Sequence, residues 1–291
     1  MTGSPTAAAA QIDAAKRAAI SLAARYGGPC APALTDVASD VTWNSTLDTI
    51  FNHRTIRRYS ARPLPDGVVE LLVAAAQSAP SSSNLQAFSI VAVEDRDRKA
   101  RLAKLAANQS HVEQAPLLLM FVADLARLRA IAEACGGASD GLDYTESFLV
   151  ALTDAAFAAQ NCLIALESIG LGACYIGAMR NHPTAVAEEL DLPPGAFVVF
   201  GMTIGYPDPN VETGIKPRLP QSVVLHRERY APPAPADIAV YDEALRAFRL
   251  DQLMSDVAWS QQASGRIHGP GSLMGRHVLR EVLQTRGFGL K

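Results

Sequence analysis

The longest helical pattern in the chain covers residues 145–169, and apolar residues lie on nearly all of its sides. A helix that is apolar around most of its circumference must lie at the centre of a core or at a subunit interface. A second stretch, residues 117–122, is continuously apolar, which is typical of a strand that is covered on both faces. The chain therefore has to fold around a buried helix and a buried strand.

Shorter predicted strands and helices precede and follow this helix and this strand along the chain. Further strands are predicted at residues 89–94, 173–176 and 196–204, and helices at residues 66–78, 96–108, 126–134, 238–254 and 272–284. The alternation of helices with buried strands predicts a sheet sandwiched by helices. Residues 1–44 precede this body as an extension, which consists of an Ala-rich helix and a linker.

Composition excludes several classes of protein. The chain has 291 residues, of which 49% are hydrophobic and 19% charged, so it can bury a large core. A formal charge of -3 and a pI near 6.1 argue against a nucleic-acid or membrane-surface protein, which would carry net basic charge. Basic clusters in this chain are therefore local, and we expect them to face a small anion.

Cysteine usage and the N-terminus indicate the compartment. The cysteines are widely separated, without a C-x-x-C pair or a histidine at ligand spacing, so neither a metal site nor a disulfide framework is predicted. No run approaches the roughly 18 consecutive apolar residues of a membrane span. Charged residues also interrupt the N-terminal Ala stretch, whereas an export signal is continuous. We expect a cytoplasmic protein without nucleic-acid or membrane partners.

A dense basic cluster lies at residues 52–59, directly after a short helical pattern that starts near Ser45. Arg54 and Arg57 each offer a planar fork that can grip a phosphate, and His53 and Thr55 add single donors. Residue alternation predicts an extended segment in which Ile56 is buried. The alternative interpretation is a basic helix end that the helix dipole favours.

Two other polar stretches complement this cluster. Residues 79–86 form a loop between a predicted helix and a predicted strand, and its hydroxyls and amides can bind a polyhydroxy chain or a heterocycle edge. Lys216 and Arg218 supply two more cations on a turn that Pro217 stiffens.

The order H-R-T-I-R-R-Y, A-P-S-S-S-N-L-Q, G-L-G-A-C-Y-I-G-A-M-R and I-G-Y-P followed by K-P-R-L-P resembles the FMN-dependent nitroreductase and flavin reductase family, most closely its oxygen-insensitive NADPH nitroreductase branch. The resemblance implies an α+β fold, a three-layer sandwich whose central, mainly antiparallel sheet is flanked by helices, in an intertwined homodimer. It makes residues 45–291 the FMN-binding domain, with a C-terminal helical arm from about residue 236.

The resemblance also assigns site residues. It implies that FMN is bound by His53, Arg54, Thr55, Arg57, Ser81, Ser82, Ser83, Leu85, Gln109, Tyr175, Ile176, Gly177, Ala178, Arg180, Lys216 and Arg218. The residue 81–85 loop would come from the subunit opposite some of the other contacts. The Gly177 backbone N–H would face flavin N5, and either Arg57 or Lys216 would lie near the pyrimidine edge.

The activity implied is that of an FMN-dependent NAD(P)H oxidoreductase. It would reduce nitroaromatics, quinones or flavins by ping-pong hydride transfer, with a small planar acceptor and no catalytic side chain, because the flavin does the chemistry. Branch members grip the NADPH phosphate with arginines on a loop, but residues 251–259 here contain none, which leaves Arg276 as the candidate and NADPH or NADH open as donor.

Alternative functions remain at this stage. A flavin-binding or storage protein would hold FMN with little turnover, and relatives with other reactions add a lid, for which residues 261–272 are the candidate. A scaffold without a cofactor is a third alternative. Cys174 is predicted to be a small buried residue, and surface or cap roles are predicted for His111 and the later histidines.

Overall fold

The computed structural model describes residues 7–26 and 43–291, so the predicted linker lies outside the described residues. The chain divides into two compact units. A helical unit comprises Met1–Arg54 and Glu212–Ser272, and a sheet unit comprises Thr55–Val211 and Leu273–Lys291. The predicted boundaries after residue 44 and near residue 236 divide the chain differently and stay a prediction.

The helices and strands follow in chain order. The helices are α1 Ala7–Tyr26, α2 Ser45–Phe51, α3 Val68–Gln77, α4 Arg96–Leu105, α5 Ser110–Gln114, α6 Ala126–Ala134, α7 Thr145–Ser168, α8 Pro183–Glu189, α9 Gln221–Val224, α10 Pro235–Asp251, α11 Trp259–Arg266 and α12 Leu279–Thr285. The strands are β1 Phe88–Val93, β2 Leu117–Asp124, β3 Gly172–Ile176 and β4 Ala196–Gly205.

The four strands form one antiparallel sheet in the order β1-β2-β4-β3. All eight residues of β2 are buried, which confirms the prediction from its continuous apolar run. Leu117, Leu119 and Phe121 belong to one hydrophobic cluster, whereas Leu118 and Met120 belong to another. Successive side chains of a strand point to opposite faces, so the sheet has a core on each face.

Helices build both cores. α3 and α7 contribute to the first cluster, and α4, α5 and α8 contribute to the second. The sheet therefore lies between two helical layers, and the predicted α+β sandwich with an antiparallel sheet is confirmed.

The helix α7 was predicted to be central, and one of its stripes is. Its buried residues are Ala151, Asp154, Ala155, Ala158, Ala159, Cys162, Leu163 and Leu166. By length and composition alone, α7 could cross a membrane, but this stripe packs in the first core of the sheet unit. On its other side Leu149 and Phe157 are exposed.

The helical unit has a small core of its own. Ala18 and Leu22 of α1 pack with Trp43, and Leu47 and Phe51 of α2 contact this cluster. The start of α2 is capped, because the Asn44 side chain accepts hydrogen bonds from the backbone N–H groups of residues 46 and 47. The predicted short helix before the basic cluster is therefore confirmed.

The helix predicted at residues 272–284 is wrong in its first half. Two 3-10 turns, Pro270–Leu273 and Arg276–Val278, precede α12, which begins only at Leu279. Met274 and Gly275 adopt φ of 52° and 85°, and such left-handed residues interrupt a right-handed helix.

Candidate cofactor site

The segment after the basic helix end runs beside strand β3 in the sheet unit. The Ile56 N–H donates to the Ala173 carbonyl at 2.9 Å, and Ile56 is 4% exposed, which confirms its predicted burial. The close approach requires a glycine, since a Cβ on Gly172 would lie 2.4 Å from Ile56 Cγ1. Half-buried Thr55 and exposed Arg57 thus flank a fixed residue beside β3.

Tyr59 secures the other end of this segment. Its hydroxyl lies 2.7 Å from the Thr203 hydroxyl on β4 and donates to the Ile56 carbonyl at 2.9 Å. Burial raises the pKa of Tyr59 well above its usual range, so the hydroxyl stays protonated. The backbone that carries Thr55 and Arg57 is therefore held to two strands.

Strand β3 leads directly into the 3-10 turn Gly177–Arg180. Ile176 and Ala178 are buried, at 1% and 9% exposure, whereas Gly177 between them is partly exposed. Tyr175 is partly exposed and packs edge-on against Phe200 with ring centroids 5.0 Å apart. Cys174 is buried, as predicted.

Arg180 closes the same turn. Its guanidinium donates to the Val199 carbonyl of β4 and lies 3.4 Å from the position that a Cβ on Gly177 would take. Burial, and secondarily the charge of Arg276, lower the pKa of Arg180. Arg276 itself donates from Nε to the Asn181 Oδ1 at 2.9 Å. Two predicted site arginines therefore lie near one turn.

The hydroxyl-rich loop is fixed by a residue that sequence reasoning missed. Asp154 of α7, only 1% exposed, accepts hydrogen bonds from the Ser81 hydroxyl at 2.7 Å and from the Ala87 N–H at 2.9 Å. Between these anchors Ser83 and Asn84 adopt left-handed φ of 49° and 53°. A carboxylate in the middle of a mostly apolar helical pattern was the signal that could have identified it.

The structure does not bring all predicted residues of the sheet unit together. The loop at residues 81–85 leads into β1, whereas Thr55, Arg57 and Gly177 lie beside or after β3. β1 and β3 are the opposite edges of the sheet. Three strand spacings separate those edges, which is about 14 Å.

Gln109 and His111 lie near the start of α5. The Gln109 side chain donates to the Ala106 carbonyl at 2.9 Å. The surface or cap role predicted for His111 is wrong: the residue is 8% exposed, and its Nε2 atom is buried without a hydrogen-bond partner. Burial, and then the charges of Arg57 and Arg58, lower the pKa of His111. The burial of His111 could not be predicted, because the sequence of such a short, polar helix has no apolar periodicity.

In the helical unit, the predicted cations come from two separate segments. Arg25 of α1 donates to the His53 carbonyl at 2.7 Å and to the Lys216 carbonyl at 3.0 Å, so one guanidinium joins both segments. The Arg218 guanidinium donates to the Lys216 carbonyl at 3.1 Å. The side chains of Arg54, Lys216 and Arg218 are exposed.

Arg218 also lines a cavity of about 600 Å³ together with Tyr26, Tyr241 and Trp259. The arginine-free stretch at residues 251–259 lies close to two arginines of α10. Arg249 donates to the Ser255 carbonyl at 3.3 Å, and Arg246 lies 3.2 Å from Asp256.

Among the residues that the structure describes, no group of three or more His, Cys, Asp or Glu side chains could hold a metal ion. The donors around the sheet-unit site are guanidinium, hydroxyl and amide groups. Such donors bind phosphate and polar oxygen or nitrogen atoms.

Comparisons with known proteins agree with this reading. The chain matches the model of the Nitroreductase family over residues 50–206 and that of the Nitroreductase family, C-terminal domain, over residues 216–291. It is 40% identical over 228 residues to the NADPH-flavin oxidoreductase of Vibrio harveyi, covering 78% of this chain and 92% of that protein. It is 39% identical over 205 residues to the oxygen-insensitive NADPH nitroreductase of Salmonella typhimurium, covering 70% and 82%.

A solved structure gives the same result. The crystal structure of nitroreductase A from Vibrio parahaemolyticus superimposes with a TM-score of 0.77 at 37% sequence identity, covering 85% of this chain and 99% of that one. With family models that match most of its length and relatives that it covers almost fully, the chain belongs to the nitroreductase family.

Proposed function

We propose that the residues around β3 and the basic segments hold FMN, and that the chain uses it as an NAD(P)H-dependent flavin oxidoreductase. The chain is an enzyme of this type, since its relatives are NADPH-flavin oxidoreductases, FMN reductases and nitroreductases. The alternative function, a flavin-binding or storage protein with little turnover, is not favoured by these relatives.

One observation carries the site assignment. The bond from the Ile56 N–H to the Ala173 carbonyl holds Thr55 and Arg57 beside β3, the strand that leads into the turn at Gly177. A hydroxyl, a guanidinium and an accessible backbone turn are thus set on neighbouring segments of one sheet edge. This arrangement supports binding of a phosphorylated chain and of a ring that needs close backbone approach.

The chemistry of the residues fits FMN. Arg57, Arg180 and Gln109 offer cationic and amide donors, and Gly177 has no side chain to separate its backbone from a flat ring. His53, Arg54, Lys216 and Arg218 are proposed as further phosphate contacts. Ser81, Ser82, Ser83 and Leu85 are proposed to line the flavin.

The chemistry that bound FMN would supply is two-electron transfer from the nicotinamide to the acceptor. The chain itself binds and orients: its cations neutralise the phosphate and its backbone N–H at Gly177 is proposed to donate toward the flavin ring. Since no side chain has to form a covalent bond, no nucleophile is required. Nitroaromatics, quinones and flavins are the proposed acceptors, with a small planar molecule as the common class.

A homodimer is part of the proposal. The residue 81–85 loop and the Gly177 turn lie toward opposite sheet edges, so one chain does not place both against a single ring. A partner subunit can supply the missing loop. The exposed Leu149 and Phe157 on the outer side of α7 support an apolar interface there. A cytoplasmic location is proposed as well.

For the nicotinamide, Arg276 stays the proposed contact to the phosphate of NADPH. It lies near Arg180 at the turn after β3, which places positive charge beside the proposed flavin site. NADPH and NADH are both proposed as donors.

The decisive experiment is an absorbance spectrum of the purified protein, followed by anaerobic mixing with each nicotinamide. We expect a flavin band at about 450 nm that bleaches within the time of catalytic turnover. A flavin band that neither NADPH nor NADH bleaches would support the storage function instead. A colourless protein that does not bind added FMN would contradict the cofactor assignment.

A further inference from the structure

The last turn of α1 buries a charged side chain. Arg25 is only 7% exposed, and a buried charge is costly unless hydrogen bonds satisfy it. Its guanidinium donates to three backbone carbonyls: Phe51 at 2.7 Å, His53 at 2.7 Å and Lys216 at 3.0 Å. Nη2 donates to the first two carbonyls and Nη1 to the third, and these bonds fix the position of the guanidinium.

Those carbonyls belong to the two segments that carry the proposed phosphate cations of the helical unit. Phe51 and His53 lie at the end of α2, just before Arg54, and Lys216 begins the turn that contains Arg218. The contact is reciprocal, because the Arg218 N–H donates to the Arg25 carbonyl at 2.9 Å. One residue of the extension therefore links two segments far apart in sequence.

The second half of the helix that carries Arg25 is anchored. Ala18 and Leu22 pack with Trp43 against α2, and Arg17 forms an ion pair with Asp48 at 2.7 Å. A fixed helix presents its last side chain at a fixed place. The Arg25 guanidinium is thus held by its own helix as well as by the carbonyls it contacts.

We propose that Arg25 is a positioning residue of the FMN phosphate site, and that α1 gives the N-terminal extension this role. The inference rests on the proposed FMN function. Arg25 holds the backbones at His53 and Lys216 at one spacing, so the exposed cations of both segments can meet one phosphate. Without Arg25 those segments are joined less tightly. Binding of the FMN phosphate is therefore weakened, whereas binding of the flavin ring is not.

The test compares FMN with riboflavin, which has the same ring and ribityl chain but no phosphate. We expect Arg25→Ala to weaken FMN binding by about 10- to 100-fold, the usual effect of losing a charged hydrogen bond. Riboflavin affinity should stay within about twofold. Lys16→Ala is the matched control, because it removes an exposed cation of the same helix, and it should leave the FMN-to-riboflavin ratio unchanged.

A loss that is equal for FMN and riboflavin, or no loss at all, would overturn the role of Arg25. If Arg25→Ala does not fold, Arg25→Lys decides the question, since lysine keeps the charge but cannot fork across separate carbonyls. A lysine variant with the wild-type ratio overturns the proposal. Failure of the wild-type protein to bind FMN contradicts the proposed function instead, so the two failures are distinguishable.

Discussion

The Asp154 carboxylate and the Ser81 hydroxyl are joined by a hydrogen bond of 2.7 Å that ties the hydroxyl-rich loop to the central helix α7. Asp154 also accepts from the Ala87 N–H, where the loop enters β1. Both ends of a loop with left-handed residues therefore depend on one buried carboxylate. Strained backbone persists only where its surroundings hold it.

Replacing Asp154 with alanine should release that loop. We expect Asp154→Ala to lower the free energy of unfolding by about 3 kcal/mol, because it removes hydrogen bonds to a charged group and leaves the Ala87 N–H unsatisfied. Urea unfolding measures the loss. Thr153→Ala is the control: the exposed Thr153 hydroxyl bonds only within its own helix, and its loss should change stability by less than about 0.5 kcal/mol. Equal effects of the two substitutions would contradict a special role for Asp154.

Gly172 allows the basic segment to approach β3. A methyl group there would lie 2.4 Å from Ile56 Cγ1, so Gly172→Ala should cost about 1–3 kcal/mol of stability and weaken FMN binding. Gly141→Ala is the control, since a Cβ at Gly141 meets nothing within 4 Å. Chemical denaturation and flavin titration report the two effects.

A second substitution checks that Ile56 is the cause. Ile56→Ala makes room for the added methyl group, so the double variant with Gly172→Ala should be more stable than the sum of the single effects predicts. Strict additivity would mean that the clash is not with Ile56.

Arg54 is exposed, and the backbone is held on both sides of it. The His53 carbonyl accepts from Arg25, and the Ile56 N–H donates to β3. We expect Arg54→Ala to weaken FMN retention by about 1.5–3 kcal/mol, the usual loss for a charged hydrogen bond. Arg101→Ala should leave retention unchanged, because that guanidinium pairs with Glu189 through two bonds of 2.8 and 3.0 Å. Equilibrium dialysis measures both. Unchanged occupancy in the Arg54 variant would place the phosphate elsewhere.

His111 should make stability depend on pH. Its pKa is lowered in the folded protein by burial and by Arg57 and Arg58, so between that pKa and about 6.5 only the unfolded chain binds the proton. Stability is therefore complete above about pH 6.5 and falls on acidification, by at most about 1.4 kcal/mol per pH unit for one proton.

Urea unfolding at about pH 7.5 and about pH 5.5 measures this dependence. His111→Gln should reduce the difference between the two conditions, whereas His277→Gln, at an exposed position, should not. A difference that is as large in the His111 variant as in the wild type would assign it to other groups.

Arg276 should affect the donor rather than the flavin. Arg276→Ala is expected to raise KM for NADPH by about tenfold, the effect of about 1.4 kcal/mol of lost interaction, with little change for NADH. Arg280→Ala, an exposed neighbour, is the control. Steady-state kinetics with both nicotinamides separate the outcomes. An equal rise in KM for NADPH and NADH would mean that Arg276 does not bind the extra phosphate of NADPH.

Local patterns in the sequence predicted much of this protein. The continuous apolar run predicted buried β2, apolar residues around α7 predicted a core position, and alternation in the basic segment predicted the burial of Ile56. Each of these depends on neighbours within one element. The motif order predicted the family, since four short segments in register are specific together.

Tertiary structure decided which distant residues meet. Ser81 and Asp154 are 73 residues apart, and Arg25 and Lys216 are 191 apart, so no local pattern links them. Strand order, β1-β2-β4-β3, placed the hydroxyl loop and the Gly177 turn toward opposite edges. Periodicity reports which side of an element a residue faces, whereas its partner depends on how the elements pack, and only the folded chain determines that.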